Sequence, residues 1–436
     1  MFRSLARFLG LALSMVLLAF LPALAHNVLA PVAPQSFLAT SANPTVGDLE
    51  MRYRQAAKRL LAGSPSPHQL ERARDILEHL QTLELHRFLG ETSPTATPKQ
   101  IEAIDPKAAV FYPFLLDDRL SVIVSVPGRD LISYETILPQ GETEAAFLDF
   151  LQSLHPFFDP KEQMRLSQQL YDWLIRPVEA QLSQTHVQTL VFVLDGMMRN
   201  LPMAALHDGD RYLVEKYAIA LTPGLQLLDD RDPAPVPVSA LAAGLTEARQ
   251  GFEGLPAVAA EVEQIRDRVP SRILLDRDFT TFNIGDRLVR EPFSVVHLAT
   301  HGQFSSNLDD TFLLTWDGRI NIRELARLLR SGELSHSQPV ELLVLSACQT
   351  AAGDNRAALG LAGMAVRSGA RSTLATLWSV NDRSTAEFAS AFYQALGDAG
   401  TSKAEALRQA QLYLLRDGGY QHPFYWAPFV LVGNWQ

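Results

Sequence analysis

From residue 190 to the end of the chain, short apolar runs alternate with segments of helical periodicity, and few folds accommodate that alternation. Leu190–Leu194, Leu241–Leu245, Ser294–Thr300, Glu341–Ser346, Thr373–Leu377 and Pro428–Val432 read as strands. Between them, Val258–Arg268, Phe279–Arg290, Ile322–Arg330, Leu359–Ser368, Arg383–Leu396 and Lys403–Leu415 read as helices. Strands that are apolar on both faces and separated by helices predict an α/β fold, a mainly parallel sheet covered on both sides.

The upstream part is organised differently. Asp48–Leu61 and Pro67–Leu89 predict two helices broken at Gly63-Ser64-Pro65, with Leu70, Ala73, Leu77 and Leu80 on one stripe. They read as a helical hairpin, residues 48–90, and no second copy follows, which excludes a tetratricopeptide array. After a Pro/Thr-rich break at Thr92–Pro98, Ala109–Leu116 and Leu120–Val126 predict two antiparallel strands around a tight connection. Helices are expected at Glu142–Leu154 and Lys161–Leu182.

The N-terminus reads as an export signal, residues 1–25. Arg3 and Arg7 precede an apolar run of 13 residues, Leu9–Leu21, and Ala23-Leu24-Ala25 offers small residues where a signal peptidase cuts. The run is too short for a membrane span of about 20 residues, so no stable span is expected after cleavage. The Ala/Pro/Ser/Thr-rich stretch 26–47 reads as a linker, and the expected location is the periplasm or another extracytoplasmic space. Charge narrows the partners: the chain carries −10, and since residues 1–25 hold two arginines and no acid, the remainder carries −12. A surface without basic runs does not suit a nucleic-acid partner.

Two predicted strands end in reactive residues. Ser294–Thr300 runs into His301-Gly302, and Glu341–Ser346 runs through Ala347 into Cys348-Gln349-Thr350. In an open parallel sheet, functional groups gather just beyond the carboxyl ends of the strands. Cys348 is the single cysteine, so an internal disulfide is excluded and the thiol is either buried packing or a reactive group. His297 shares strand parity with His301, but a zinc pair at that spacing needs a helix, and Val295-Val296 favours a strand, so His297 is expected to be structural. No Walker lysine motif, dinucleotide fingerprint or CxxC pair is present, and no metal or other cofactor is expected.

The ordered motifs HLATHG (297–302), LSACQT (345–350), Gly360-Leu361-Ala362-Gly363, Arg367-Ser368-Gly369-Ala370, Leu377-Trp378-Ser379-Val380-Asn381-Asp382 and Tyr425-Trp426-Ala427-Pro428-Phe429 resemble a CHAT domain. Upstream, Leu194-Asp195-Gly196 with Leu201-Pro202, and Glu247-Ala248-Arg249 before Leu255-Pro256, fit the same family. The resemblance covers most of residues 108–436, with the catalytic core at about 190–436. CHAT domains are a branch of the caspase-like cysteine peptidases that includes separase. In caspases the histidine precedes the cysteine by about 50 residues, and here the separation is from 301 to 348.

The resemblance implies a caspase-like α/β/α sandwich preceded by the short helical hairpin. It also implies a cysteine endopeptidase in which His301 takes the proton of Cys348 and the thiolate attacks a peptide carbonyl. The backbone N–H groups of Gly302 and Cys348 would then form the oxyanion hole, Gly302 being suited because a side chain would obstruct the substrate. Asp382 either lines the substrate-binding pocket or caps the helix that begins near Arg383. Trp378, Trp426, Phe429 and Trp435 are expected in the core and pocket wall. The expected partners are a protein or peptide substrate and a regulatory protein. Two other readings compete: a non-catalytic protein-interaction module, and a thiol redox protein, which lacks a resolving cysteine.

Overall fold

The computed structural model describes residues 46–89, 101, 104–116, 118–138, 141–228, 237–305, 310–350, 369–380, 382–416 and 418–436. The expected signal segment, most of the linker, the Thr92–Pro98 break and the Leu359–Ser368 helix lie outside the described residues. Among those described, no helix is long and apolar enough to cross a membrane.

The chain opens with α1 (Val46–Leu60) and α2 (Pro67–Leu89), then β1 (Ala108–Leu116), β2 (Arg119–Ser125), β3 (Ile132–Ile137), α3 (Glu142–Ser153), α4 (Pro160–Leu174) and α5 (Glu179–Ser183). Next come β4 (Thr189–Phe192), α6 (Leu213–Lys216), β5 (Ala218–Leu221), β6 (Ala240–Gly244), α7 (Ala257–Arg268), β7 (Ser271–Leu275), α8 (Thr281–Arg290) and β8 (Val295–Phe304). The last part holds β9 (Phe312–Leu314), β10 (Arg319–Asn321), α9 (Ile322–His336), β11 (Leu342–Thr350), β12 (Ser372–Thr376), α10 (Asp382–Gly397), α11 (Lys403–Arg416), α12 (Pro423–Trp426) and β13 (Phe429–Gly433).

These strands form one mixed sheet in the order β10-β9-β8-β11-β12-β13-β5-β4-β1-β2-β3, with β6 pairing β7 and β8 off that path. Parallel pairing joins β6, β7, β8, β11 and β12 in one block and β13, β5, β4 and β1 in a second. An antiparallel contact between β12 and β13 joins the two blocks. The mainly parallel α/β architecture expected from the sequence is the one observed.

Strand alternation sorts the core. Val295 and Ala299 of β8 and Leu342 and Val344 of β11 pack in one cluster with Val262 and Ile265 of α7 and Phe392 of α10. Val296 and Leu298, with Leu343 and Leu345, pack on the other face against Ile284 and Leu288 of α8 and Leu325 and Leu329 of α9. Among the described residues both faces of these two strands are therefore covered by helices, which leaves the strand ends to meet a ligand.

The hairpin is built into this core. Tyr53, Ala57, Leu70, Ala73, Leu77 and Leu80 belong to the same cluster as β1 residues Val110 and Phe114. Polar contacts fix the docking. Arg54 donates from two nitrogens to Asp195 at 2.8 and 2.9 Å, and the Tyr112 hydroxyl donates to Glu78 at 2.8 Å. A bidentate guanidinium–carboxylate pair adds geometric specificity to the burial of the helices.

Several boundaries differ from expectation; α9, expected to end at Arg330, continues to His336. The segment expected as one helix over Lys161–Leu182 ends at Leu174, passes through a 3₁₀ turn at Arg176–Val178 and resumes as α5. Pro177 lacks the N–H that a continuing helix needs. β8 and β11 each continue past the predicted ends at Thr300 and Ser346, so His301 and Cys348 lie within strands rather than beyond them. The extension of β8 follows from pairing with β9, a contact with no local signature.

At the amino end of the sheet, Lys403 opens α11, buried and 3.8 Å from Glu341, which also pairs with Arg371. Burial lowers its pKa to about 8; Glu341 raises it and Arg371 lowers it, without offsetting the burial. The folded-state value lies below the unfolded one of about 10.4, so between those pH values the unfolded chain holds the proton and the folded one does not. Stability from this group therefore rises with pH across that window. Lys403→Met, which has no proton to lose, is expected to remove that rise. Denaturant unfolding at several pH values checks this.

Candidate active site

The site begins with a change of neighbour along β8. Its first half, Val295–Ala299, is flanked by β6, which pairs through Gly244↔Ala299 and then leaves the sheet. From Gly302 onward the same edge is taken by β9, through Gly302↔Leu313 and Gln303↔Phe312. Thr300 and His301 sit in the interval. A sheet edge that parts at the carboxyl ends of parallel strands is where ligand crevices form.

On its other edge β8 runs parallel to β11, from Leu342↔Val295 to Ser346↔Ala299, and then the register shifts, so that Cys348 pairs with Gly302. Between these pairs β8 spends one residue more than β11, a bulge that falls at Thr300-His301. Bulges re-aim side chains and recur beside active sites. The two residues singled out by sequence are thus brought together by the backbone: Cys348 lies across from the neighbour of His301. The side chain of Cys348 is outside the described part.

His301 is held by the loop after β6. Its Nε2 lies 2.8 Å from the carbonyl oxygen of Glu253, and its ring leans on Phe252 with centroids 5.1 Å apart. A carbonyl only accepts, so Nε2 carries the proton and Nδ1 keeps its lone pair. In that tautomer Nδ1 is the nitrogen able to take a proton from a thiol.

The loop that supplies this contact is braced on three sides. Arg249 and Phe252 exchange backbone hydrogen bonds of 3.1 and 2.8 Å around Gln250-Gly251, both at positive φ, as in a type I′ turn. The Arg249 guanidinium donates to the Trp316 carbonyl and stacks 3.7 Å from the Trp316 ring. Asp276 accepts from the Thr246 hydroxyl at 2.6 Å and from the backbone N–H of Thr246 and Glu247. Burial would raise the Asp276 carboxyl, but those hydrogen bonds outweigh it and hold its pKa below the usual range. The carboxylate therefore stays charged and keeps the loop tied to β7.

Gly302 is buried, and its lack of a side chain has a packing cause. A Cβ there would lie 2.7 Å from Leu313 Cδ2 and 3.3 Å from the Phe312 carbonyl oxygen. The substrate access expected of this glycine and the close approach of β9 both call for a residue without a side chain. Gly302→Val is expected to lower stability by about 1–3 kcal/mol through overpacking, read as a fall in the thermal midpoint.

The remaining candidates are sorted by the structure. Asp382 is the first residue of α10, and its side chain lies outside the described part. Trp378 follows β12 at the same end of the sheet. It is half-buried, its Nε1 donating to the Phe424 carbonyl at 3.0 Å. Trp426, Phe429 and Trp435 are core. His297 is structural, as expected: it is buried, with Nδ1 3.0 Å from the Tyr393 hydroxyl and Nε2 3.1 Å from Glu261.

Sequence reasoning did not reach Glu253, Phe252 or Glu261. A backbone carbonyl has no residue signature. Glu261 did leave a trace, a carboxylate among Val258, Val262 and Ile265 on the buried stripe of α7.

Comparison with known proteins fits these observations. The CHAT domain family model matches residues 164–434. No curated protein matches the chain. Among solved structures, the Saccharomyces cerevisiae separase–securin complex resembles it with a TM-score of 0.47 at 10% identity, over 90% of this chain and 37% of the separase chain. The Arg-specific cysteine proteinase gingipain R resembles it with a TM-score of 0.40 at 10% identity, over 65% of this chain and 69% of that one. The chain thus spans little more than a third of the separase chain. On the family match, which extends from α4 to β13 and includes both strands of the site, this chain belongs to the CHAT domain family.

Proposed function

We propose that the protein is an exported cysteine endopeptidase acting on a polypeptide substrate. The observation that carries this reading is the pairing of Cys348 with Gly302 beside a His301 whose Nε2 is committed to the Glu253 carbonyl. In the proposed reaction, His301 Nδ1 takes the thiol proton and the thiolate attacks the scissile carbonyl carbon. The oxyanion is received by backbone N–H groups, with those of Gly302 and Cys348 as candidates. Collapse of the tetrahedral adduct expels the amine, which takes its proton from the imidazolium. Water, deprotonated by the same imidazole, then hydrolyses the thioester and frees the enzyme.

A thiol of pKa about 8.5 is only partly ionised at neutral pH, so the neighbouring imidazole supplies the activation. Asp382, at the start of α10, is proposed to line the pocket for the residue before the scissile bond. A regulatory protein is the second partner the reading includes. Export rests on the basic start, short apolar run and Ala-x-Ala site. N-terminal sequencing of protein from its native cell is expected to begin at His26; an intact Met1 would contradict cleavage.

The test of function is intact-mass spectrometry after incubation with an electrophilic peptide probe. One probe adduct is expected on the wild type, mapped to Cys348, and none on His301→Ala. Labelling that ignores His301, or no labelling with any peptide sequence, would favour the non-catalytic interaction module instead.

A further inference from the structure

Beneath the candidate site lies a buried polar cluster that the proposed chemistry does not use. Glu261 is 3% exposed, His297 1%, Ser346 4% and Tyr393 0%. The Ser346 hydroxyl donates to Glu261 Oε1 at 2.7 Å, and His297 Nε2 lies 3.1 Å from the same oxygen. Burial, and then the nearby Glu261, push the Tyr393 hydroxyl well above its ordinary pKa, so it keeps its proton. That proton points to His297 Nδ1, 3.0 Å away, which leaves Nε2–H to donate to the carboxylate. One oxygen from α7 therefore holds a residue of β8 and a residue of β11 together.

The location gives the cluster its meaning. Ser346↔Ala299 is the last regular pair before the bulge, His297 lies two residues before Ala299, and Cys348 lies two residues after Ser346. Because β8 and β11 are apolar on both faces, hydrophobic pattern alone does not fix their register, and a slip of one residue at the bulge would turn His301 or Cys348 to the opposite face. A carboxylate in an otherwise apolar helix stripe costs solvation energy that a leucine would not, and such groups are best attested where they fix a register. The same stretch also supplies the Glu253 carbonyl that holds His301. From residue 253 to residue 261, one loop and helix grip β8 at two points and β11 at one.

We propose that Glu261 is a positioning residue, which pins β8 to β11 at the root of the bulge and so sets His301 against Cys348. Its strand-clamping half stands on the hydrogen bonds alone, while its functional half rests on the cysteine peptidase reading.

The experiment uses the full chain as wild type, Glu261→Ala, Glu261→Gln, Ser346→Ala and His301→Ala. Hydrogen exchange by mass spectrometry follows residues 300–304 and 347–350, with β12 and β13 as the internal reference. Because Cys348 is the only thiol, iodoacetamide alkylation across a pH series reads its ionisation directly. In Glu261→Ala, exchange at both strand ends is expected to rise by about tenfold relative to the reference strands. The alkylation profile of that variant is expected to move toward that of His301→Ala. Glu261→Gln, whose amide can still bridge both partners, is expected to stay within about twofold of wild type. Should Glu261→Ala fail to fold, Ser346→Ala removes one of the two bonds and is expected to loosen β11 with a smaller shift in profile.

Exchange that rises uniformly across the sheet, or not at all, would overturn the clamp. Loosened strand ends with a wild-type alkylation profile, while His301→Ala shifts it, would overturn the positioning role. If wild type and His301→Ala alkylate alike, the peptidase reading has failed, and the exchange pattern still decides the clamp by itself.

Discussion

Cys348→Ala is expected to lower cleavage of any substrate the wild type cuts by on the order of 10⁴-fold or more, and His301→Ala by a similar factor. The double variant is expected to be no worse than either single one, because nucleophile and base act as one unit. His301→Ala should change stability by no more than an ordinary surface substitution, about ±0.5 kcal/mol, because His301 is partly exposed and its bond to the Glu253 carbonyl lies at the surface. Turnover numbers and unfolding curves on the same preparations check both halves. Retained cleavage in either single variant would remove that residue from the mechanism.

Trp426→Ala is expected to do the reverse, costing about 3–5 kcal/mol of stability with cleavage by the surviving folded fraction little changed. Trp426 is fully buried, its ring meets Tyr212 edge-on at 5.0 Å, and its Nε1 donates to the Gln421 carbonyl at 3.2 Å. Gln411 donates to the carbonyls of Trp426 and Phe429, tying α12 and the start of β13 to α11. β13 is the strand that joins the two parallel blocks of the sheet. Chemical denaturation measures the loss. Together with the Cys348 variant it sorts the family motifs by role: LSACQT carries the proposed chemistry, and the Tyr-Trp-Ala-Pro-Phe segment carries packing.

Much of the fold was legible because its central strands are apolar on both faces. β8 and β11 are buried from above and below, so their sequences leave little doubt about conformation. The short outer strands were not read. β9 and β10 have three residues each, and β3, with Ile137 largely exposed, alternates too weakly to separate from loop. Such strands exist through their partners, and a pairing between residues far apart in sequence has no local pattern to reveal it. The break at Pro177, by contrast, has a sequence signature, a proline without the N–H a continuing helix needs.

The site divides in the same way. His301 and Cys348 stood out because reactive side chains ended apolar strands. The parts that aim them did not, since the Glu253 contribution is a carbonyl and the bulge exists only as a mismatch between two strands. Gly302 carries a double signal: its small size suits a substrate approach and also the close packing of β9, and the sequence offers no means of separating the two.

The most direct measurement of the central claim is a crystal structure of the full-length protein inactivated by a peptide aldehyde. A covalent bond is expected from Cys348 Sγ to the aldehyde carbon, with His301 Nδ1 within hydrogen-bonding distance of the adduct, roughly 2.6–3.2 Å. His301 Nε2 should remain on the Glu253 carbonyl. A free thiol under saturating aldehyde, or an adduct with His301 turned to the opposite face of the sheet, would contradict the dyad.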